Sequence, residues 1–524
     1  MSAKKQVITR RKFLAMTGIS LVGGLATACV AAPTAAPASQ AQPQPQQAAE
    51  PATAAPAAQP TEPVQVPKTE GLAELLYVYT NFVGIPKDQA VVEEALNKIT
   101  AERIGAKMTL VNLEFGAFND KIQLMSAGGE KYDMAYTASW TNDYYKNVSN
   151  GVFVELDELL KSRAPTLWGS MPESTWNGAR VGGKLYAAIN QQIFVFMGGA
   201  VAKKAILEKY KIDLNAANRW ADLEGAMEQV KDGEKITPMG GGSELLQLSL
   251  LGYVEPDSAT GFLVNKPEDK SATLLYAMET PEYKETWDLM KRWQDKGYLP
   301  ANVTKFDEEV ANMKAGKAAF KTEPAIKPKG AAEFTERYGG EVEIRSFSKP
   351  VVATSGIVAT LTGVSRTGNA EKSVDWLELI NRDKDVYNLM CFGIEGKHWN
   401  FKDKATGVIE QIKDSGYDPT TDWMFGNQFN AYYRNENQVG AWDETKTLND
   451  TATPAPTLGF VLNREPIKNE IAAVTALLAE YTPLGAKGSD SSVLPKMLAD
   501  IKAAGSDKIA EEMQKQIAAW QASK

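Results

Sequence analysis

Short apolar runs alternate with amphipathic runs between residues 75 and 136, and this order constrains the fold more than any other feature of the chain. Residues 75–80, 107–113 and 132–136 are apolar or alternate in polarity, which is typical of strands. Residues 88–103 and 118–127 repeat apolar side chains at helical spacing. The order strand, helix, strand, helix, strand predicts a parallel sheet with right-handed crossovers. Ligands of such sheets bind beyond the carboxyl ends of the strands.

The length of the chain predicts more than one hydrophobic core. The sequence has 524 residues, whereas a single core stops growing at about 250 to 300 residues. Asp and Glu number 65 against 57 Lys and Arg, which gives a net charge of −8. That balance argues against nucleic acid or anionic lipid as the ligand. We therefore expect an acidic protein with two lobes.

The N-terminus has the pattern of an export signal. Basic residues, without any acidic one, precede an apolar run at 13–25 that ends in small residues before Cys29. The adjacent Arg10 and Arg11 resemble a twin-arginine signal, and the sequence Ala-Thr-Ala-Cys resembles a lipobox. We predict a signal peptide at 1–28 and lipidation of Cys29. The alternatives are an ordinary cleaved signal with a chance cysteine, and a cytoplasmic protein with a basic tail.

The segment that follows is a candidate tether. Residues 29–68 consist almost entirely of Ala, Pro, Gln and Thr and contain no aromatic side chain. Such a composition cannot form a core, so we expect it to be disordered. A lipid on Cys29 and this tether would hold a folded body at the outer face of the cytoplasmic membrane without crossing it.

The motifs of metal and nucleotide chemistry are incomplete. Residues 178–185 fail as a phosphate-binding loop because a leucine stands where Ser or Thr must hold magnesium. His398 is the only histidine, so a zinc site with two imidazoles is impossible, and we predict that this residue packs beside Trp399. Cys391 has no partner once Cys29 is lipidated, and we expect it to be a small buried side chain. We predict neither a cofactor nor a metal.

Several short motifs follow one another along the body of the chain. They are KYDM at 131–134, GVFVELDELL at 151–160, GGKLYA at 182–187 and AGKAAF at 315–320. In this order they resemble the family-1 extracellular solute-binding proteins of ABC importers. Three further segments resemble a lipoprotein branch of that family with a distinctive C-terminal region, at 393–399, 423–429 and 458–460. The resemblance covers nearly the whole chain after residue 70.

The resemblance implies an α/β, two-lobed periplasmic-binding-protein-like fold with a hinge and an interlobe cleft. We expect lobe 1 to comprise residues 69–188 and 322–385, and lobe 2 to comprise residues 189–321 and 386–524. The implied function is that of a monomeric lipoprotein, not an enzyme. It would capture an extracellular solute, expected to be a mono- or oligosaccharide, and deliver it to ABC permease subunits in the membrane. The alternative is a secreted glycoside hydrolase, which needs only two placed carboxylates.

Eight residues are candidates for ligand binding because of their positions in this scaffold. Aromatic faces suit the stacking of sugar rings, and amides and carboxylates suit their hydroxyl groups. The candidates are Tyr79, Asn81, Trp140, Asn190, Gln191, Glu323, Trp423 and Asn427. For each aromatic residue the alternative is core packing, and for Glu323 it is a solvated carboxylate.

Overall fold

The computed structural model describes residues 71–524, except residues 247, 249, 250, 258, 259, 261, 303 and 304. The predicted signal peptide at 1–28, the predicted tether at 29–68 and the predicted lipidation site Cys29 lie outside the described residues. In the described part of the chain, no helix is both long enough and apolar enough to cross a membrane.

The described residues form helices and short strands, numbered here in chain order. The strands are β1 Ala73–Asn81, β2 Ala106–Glu114, β3 Met134–Thr137, β4 Ala187–Ile189, β5 Val195–Phe196, β6 Gly199–Lys203, β7 Leu263–Val264, β8 Leu275–Tyr276, β9 Phe320–Glu323, β10 Val342–Ser346, β11 Val351–Val352, β12 Leu361–Val364, β13 Trp399–Asp403, β14 Val408–Gln411 and β15 Thr453–Pro454. The α-helices are α1 Gln89–Ile104, α2 Phe115–Gly128, α3 Tyr144–Ser149, α4 Asp157–Arg163, α5 Pro165–Gly169, α6 Glu173–Gly178, α7 Lys204–Tyr210, α8 Glu224–Glu234, α9 Pro281–Asp295, α10 Phe306–Lys314, α11 Ala331–Tyr338, α12 Thr354–Ile357, α13 Ala370–Arg382, α14 Lys384–Phe392, α15 Ala441–Thr451, α16 Lys468–Ala486, α17 Leu494–Ala503 and α18 Ser506–Ala522.

The first lobe is built on a five-stranded sheet with the order β2-β1-β3-β12-β4. Strand β1 runs parallel to both β2 and β3, and α1 and α2 connect them, so the predicted parallel unit is confirmed. Gly105 ends α1 in the left-handed conformation with φ of 61°, which an L side chain rarely adopts. Strand β12 returns from much later in the chain and pairs antiparallel with β3 and β4.

The second lobe has a smaller sheet with the order β10-β6-β9, in which both pairings are antiparallel. Helix α9 packs its aromatic stripe inward, because Trp287 and Trp293 are fully buried in the core of this lobe. The C-terminal helices α16 to α18 belong to the same core through Val474, Ile501 and Ile509.

Within the described residues, the chain crosses between the lobes three times, and the crossing segments form a sheet of their own. Strand β11 pairs antiparallel with β5 and parallel with β15. Each of these strands has only two residues, and each lies between segments that pack in different cores. Such short connections between two rigid bodies are where a hinge motion is absorbed.

The structure draws two lobe boundaries differently from the prediction. Residues 322–346 do not return to the first lobe, because β9 and β10 pair with β6 in the second-lobe sheet. The return occurs after β11 instead. Residues 386–442 do not pass to the second lobe, because Tyr387, Phe392 and Trp442 are buried in the first core. Within the predicted segment 386–524, it is the part after β15 that joins the second core.

Candidate functional site

An aromatic cluster lies at the carboxyl edge of the first-lobe sheet. Phe82 follows β1, and its ring centroid lies 4.5 Å from that of Phe115, the first residue of α2. Trp140 follows β3 and lies 6.2 Å from Phe82 and 6.1 Å from Phe115. Because β1, β2 and β3 are parallel and end at the same edge, three separate loops bring these rings together.

Trp140 is anchored and yet largely accessible. Its exposed fraction is 45%. The indole Nε1 donates a hydrogen bond of 2.8 Å to the carbonyl oxygen of Ala359, and the ring packs on buried Tyr136 with centroids 6.2 Å apart. A ring that is already held in place can stack on a ligand without a large loss of side-chain entropy. Of the eight predicted residues, Trp140 has the exposure and anchoring that ligand stacking needs.

Trp423 completes the cluster from the loop between β14 and α15. Its ring centroid lies 5.7 Å from Phe82, 6.3 Å from Trp140 and 6.4 Å from Tyr136. Its Nε1 is buried and has no hydrogen-bond partner among the described residues. A buried donor without an acceptor costs about 1–3 kcal/mol, so an acceptor that reached this nitrogen would be favoured.

Among the residues that the structure describes, the second lobe contributes one ring to the cluster. Phe306, the first residue of α10, lies 6.1 Å from Phe82 with the ring planes at 72°. Behind it the ammonium group of Lys321 lies 4.9 Å from the Phe306 ring centroid and 3.0 Å from Glu309. The lobes therefore touch across an aromatic contact, and a ligand between them would meet rings from both sides.

Two predicted residues lie deeper than expected. Tyr79 is buried, and its ring packs edge-on against Phe425 at 5.1 Å. Burial raises the pKa of its hydroxyl group. Asn81 is buried as well and donates a hydrogen bond of 2.7 Å to Asn112. Both side chains face the core, so the site at the end of β1 begins one residue later, at Phe82.

Three predicted amides connect segments of the first lobe. The Asn190 side chain donates to the carbonyl oxygen of Met424 at 2.6 Å, and its own oxygen accepts from Thr362 at 3.2 Å. Gln191 and Asn427 form an isolated parallel bridge. The Asn427 side chain accepts from the Phe429 backbone at 3.0 Å. These bonds position the loop that carries Trp423.

Glu323 is a buried carboxylate with partners of its own. It accepts a hydrogen bond from the hydroxyl of Tyr338, and the guanidinium of Arg337 lies 3.6 Å away. Burial is the main cause of the raised pKa of Glu323, although Lys321 and Arg337 oppose it. Glu323 was predicted to contact a ligand in the cleft, with a solvated carboxylate as the alternative. The structure differs from both expectations, because protein partners enclose the carboxylate.

The other residues noted in the sequence have structural partners. His398 is fully buried, its Nδ1 accepts from the Ile394 backbone at 2.9 Å, and its Nε2 lies 3.3 Å from Asp88. Cys391 is buried, and burial raises the pKa of its thiol. Residues 178–185 contain a turn closed by the pairing of Val181 with Lys184, not a phosphate loop.

Two cavities lie elsewhere. One, of about 590 Å³, is a first-lobe groove along β14 and the loop 412–418, and none of the aromatic-cluster residues line it. The other, of about 10 Å³, lies between the lobes and has room for about one water molecule. Its lining includes Ser139 and Tyr145 from the first lobe and Glu255 and Asp257 from the second. Burial and the charge of Asp257 raise the pKa of Glu255 to about 7.

Comparison with known proteins agrees with this arrangement. A protein of Streptococcus pneumoniae serotype 4 (strain ATCC BAA-334 / TIGR4), named carbohydrate ABC transporter substrate-binding protein, is 26% identical over 444 residues. The match covers 80% of this chain and 86% of that protein. The chain is a relative of ABC-transporter substrate-binding proteins. Residues 456–522 also match the sequence profile of a family described as a domain of unknown function, DUF3502.

Solved structures of this class share the fold. The crystal structure of NgtS, an N-glycan transport solute binding protein from Streptococcus pneumoniae, superposes with a TM-score of 0.74 at 21% identity, covering 85% of this chain and 98% of that chain. FusA, an ABC-transporter substrate binding protein of the same organism solved with kestose, gives a TM-score of 0.57 at 13% identity, with 86% and 100% of the two chains covered. The predicted two-lobed α/β fold is confirmed.

Proposed function

We propose that this protein binds a mono- or oligosaccharide between its lobes and delivers it to an ABC permease. The observation that carries the proposal is the exposed, anchored ring of Trp140 within an aromatic cluster drawn from both lobes. Aromatic faces are what sugar rings stack on. NgtS has also been solved with Man1GlcNAc and with Man5GlcNAc, which supports a saccharide as the ligand here.

The geometry suggests an order of events. The first lobe supplies Phe82, Phe115, Trp140 and Trp423, so it would bind the sugar first. Closure about the three hinge strands would then bring Phe306 against the ligand from the other side. A ligand that contacts both lobes binds the closed form better and therefore shifts the population toward it.

The buried carboxylates of the second lobe favour a binding protein over a glycoside hydrolase. A glycoside hydrolase needs two carboxyl groups that face each other across the sugar, about 5 to 9.5 Å apart. Glu309 and Glu323 are buried carboxylates of the second lobe, and both have charged or hydrogen-bonding partners within the protein. Glu309 lies 3.0 Å from Lys321, and Glu323 is held by Tyr338 and Arg337. A general acid or nucleophile must come within hydrogen-bond reach of the substrate, whereas both of these carboxylates are enclosed by protein partners.

Isothermal titration calorimetry of the full chain tests the proposal. The probes are Man1GlcNAc, kestose and a tripeptide mixture, each followed by mass spectrometry of the recovered solute. We expect a saccharide to bind and to be recovered intact. Binding of peptides alone would overturn the saccharide assignment, and a cleaved saccharide would favour the hydrolase.

We also propose that the protein works as a monomer tethered by a lipid on Cys29 at the outer face of the cytoplasmic membrane, where it meets its permease. The motif at 26–29 and the tether composition of 29–68 support this. Cell fractionation with Cys29→Ala tests the anchor. We expect the variant to leave the membrane fraction, and a variant that stays there would contradict lipidation at this residue.

A further inference from the structure

A single arginine joins the two lobes beside the small interlobe crevice. Arg464 belongs to the second lobe, where its Nη2 lies 3.0 Å from Asp257 Oδ1 and its Nε lies 3.2 Å from Asp257 Oδ2. Its Nη1 reaches across to Asp143 of the first lobe at 3.1 Å. The guanidinium also lies 5.5 Å from the ring centroid of Tyr145 in the first lobe. The bridge thus has one intralobe arm and one interlobe arm.

The bridge is more enclosed than an ordinary surface ion pair. The side chain of Asp257 is 4% exposed, that of Arg464 is 20% exposed and that of Asp143 is 32% exposed. Partial exclusion of water lowers the effective dielectric constant, which strengthens both arms. Two arginine nitrogens face the two oxygens of Asp257, and this forked geometry fixes the guanidinium.

We infer that the Asp143–Arg464–Asp257 bridge holds the lobes in the closed state and that Arg464 is a positioning residue for ligand retention. Since Asp257 holds the guanidinium within the second lobe, only the Asp143 arm needs to form when the lobes close. That arm joins the lobes beside the crevice, so a movement that separates the lobes there must break it. Retention of a sugar rests on the proposed function, but the closure itself does not.

The variant Asp143→Asn removes the interlobe charge with little other change. The Asp143 side chain also caps α3 by accepting a hydrogen bond of 3.1 Å from the Lys146 backbone. Asparagine is an equally good cap, so the helix start is preserved. Substituting Arg464 would be less informative, because it would break the intralobe arm to buried Asp257 together with the interlobe arm.

A matched control exists within the first lobe. Arg180 and Glu173 form an arginine–carboxylate pair with the same separation of 3.1 Å, and this pair does not connect the lobes. Glu173→Gln therefore removes one negative charge without touching the interlobe arm. A third variant, Asp143→Glu, keeps the charge and should restore most of the wild-type behaviour.

Hydrogen exchange followed by mass spectrometry tests closure on the full chain without any ligand. We expect Asp143→Asn to speed exchange about 3- to 10-fold in the second-lobe segments 253–257 and 459–461, which border the crevice, and Glu173→Gln to leave them unchanged. These segments lie outside α3, so a local defect at residue 143 would not affect them. Wild-type exchange rates in Asp143→Asn would overturn the inference.

Stopped-flow dissociation of Man1GlcNAc tests retention separately. We expect the dissociation rate to rise about 3- to 10-fold in Asp143→Asn and to return toward the wild-type value in Asp143→Glu. If no saccharide binds, the proposed function fails. The exchange experiment still tests whether the Asp143–Arg464–Asp257 bridge holds the lobes together. An unchanged dissociation rate together with faster exchange would overturn the role of the bridge in retention.

Discussion

Phe82 of the first lobe and Phe306 of the second meet edge to face, with ring centroids 6.1 Å apart and ring planes at 72°. Phe82 directly follows β1, and Phe306 is the first residue of α10. Edge-to-face pairs of this separation are favourable by about 0.5–1.5 kcal/mol beyond the area they bury. In the proposed binding mode, a sugar that entered between these rings would have to separate them, so binding there would be coupled to movement of the lobes.

Trp140→Ala should weaken saccharide binding by about tenfold or more, equivalent to ~1.4 kcal/mol, because it removes the exposed stacking surface. The unfolding free energy should fall by less than about 1 kcal/mol, since the ring is 45% exposed. Calorimetric titration and chemical denaturation measure the two effects. Trp168→Ala is the control, because that partly buried ring stacks on Trp176 away from the cluster. Equal effects of both variants on affinity would contradict the assignment.

Phe306→Ala should act mainly on dissociation. Phe306 belongs to the second lobe and would meet the ligand only on closure, so its loss should leave the association rate nearly unchanged and speed release about tenfold. Phe306→Tyr keeps the ring and should behave like the wild type. Stopped-flow fluorescence of the cluster tryptophans follows both steps. A variant that altered association alone would mean that Phe306 acts before closure.

Asn190→Ala separates a structural role from ligand contact. The side chain is 1% exposed and bonds to Met424 and Thr362. Its removal leaves buried partners unsatisfied, so the unfolding free energy should fall by about 1–3 kcal/mol. Saccharide affinity of the folded protein should change by less than about threefold. The control is Asn400→Ala on the exposed side of β13, and a selective loss of affinity in Asn190→Ala would show that this amide touches the ligand.

The parallel unit at the start of the body was predictable because it depends on local periodicity. Helices α1 and α2 and strands β1 to β3 all lie where the pattern indicates. The exact start of the site was not predictable, because β1 is covered on both faces and shows no alternation over its last five residues. Without alternation, Tyr79 and Asn81 could not be distinguished from the cleft residue Phe82.

The lobe boundaries depended on pairing between distant segments. Strand β9 could have joined either sheet, and only its register with β6 decides this. Phe82, Phe115 and Phe306 were missed because an apolar residue in a chain with 17 phenylalanines carries no signal by itself. Their common feature is position, since Phe82 and Phe115 directly follow strands, and Phe115 and Phe306 begin helices. Phe115 does both, so a search of strand ends and helix starts would have found these rings.

The raised pKa of Glu255 predicts that the stability of the protein depends on pH. Its ordinary pKa of 4.5 is raised to about 7 by burial and by the charge of Asp257, so the folded protein binds this proton more tightly than the unfolded chain. The resulting stabilisation is fully present below about pH 4.5 and is lost as the pH rises through about 7. The other ionisable side chains beside the crevice are those of Asp257 and Asp143, which both pair with Arg464, and that of Tyr145. Burial raises the pKa of Tyr145.

Glu255→Gln should remove this dependence. We expect the unfolding free energy of the wild type, relative to that of the variant, to fall between pH 5 and pH 8 by an amount on the order of 1–3 kcal/mol. Urea denaturation at several pH values measures it, and Glu173→Gln controls for the loss of one exposed charge. The crevice lies between the lobes, so the charge on Glu255 should also affect hydrogen exchange at 253–257. After correction for the intrinsic pH dependence of exchange, we expect the rate to increase with pH more in the wild type than in Glu255→Gln. Parallel pH profiles for the wild type and Glu255→Gln would mean that this carboxyl group is hydrated in solution and titrates independently of closure.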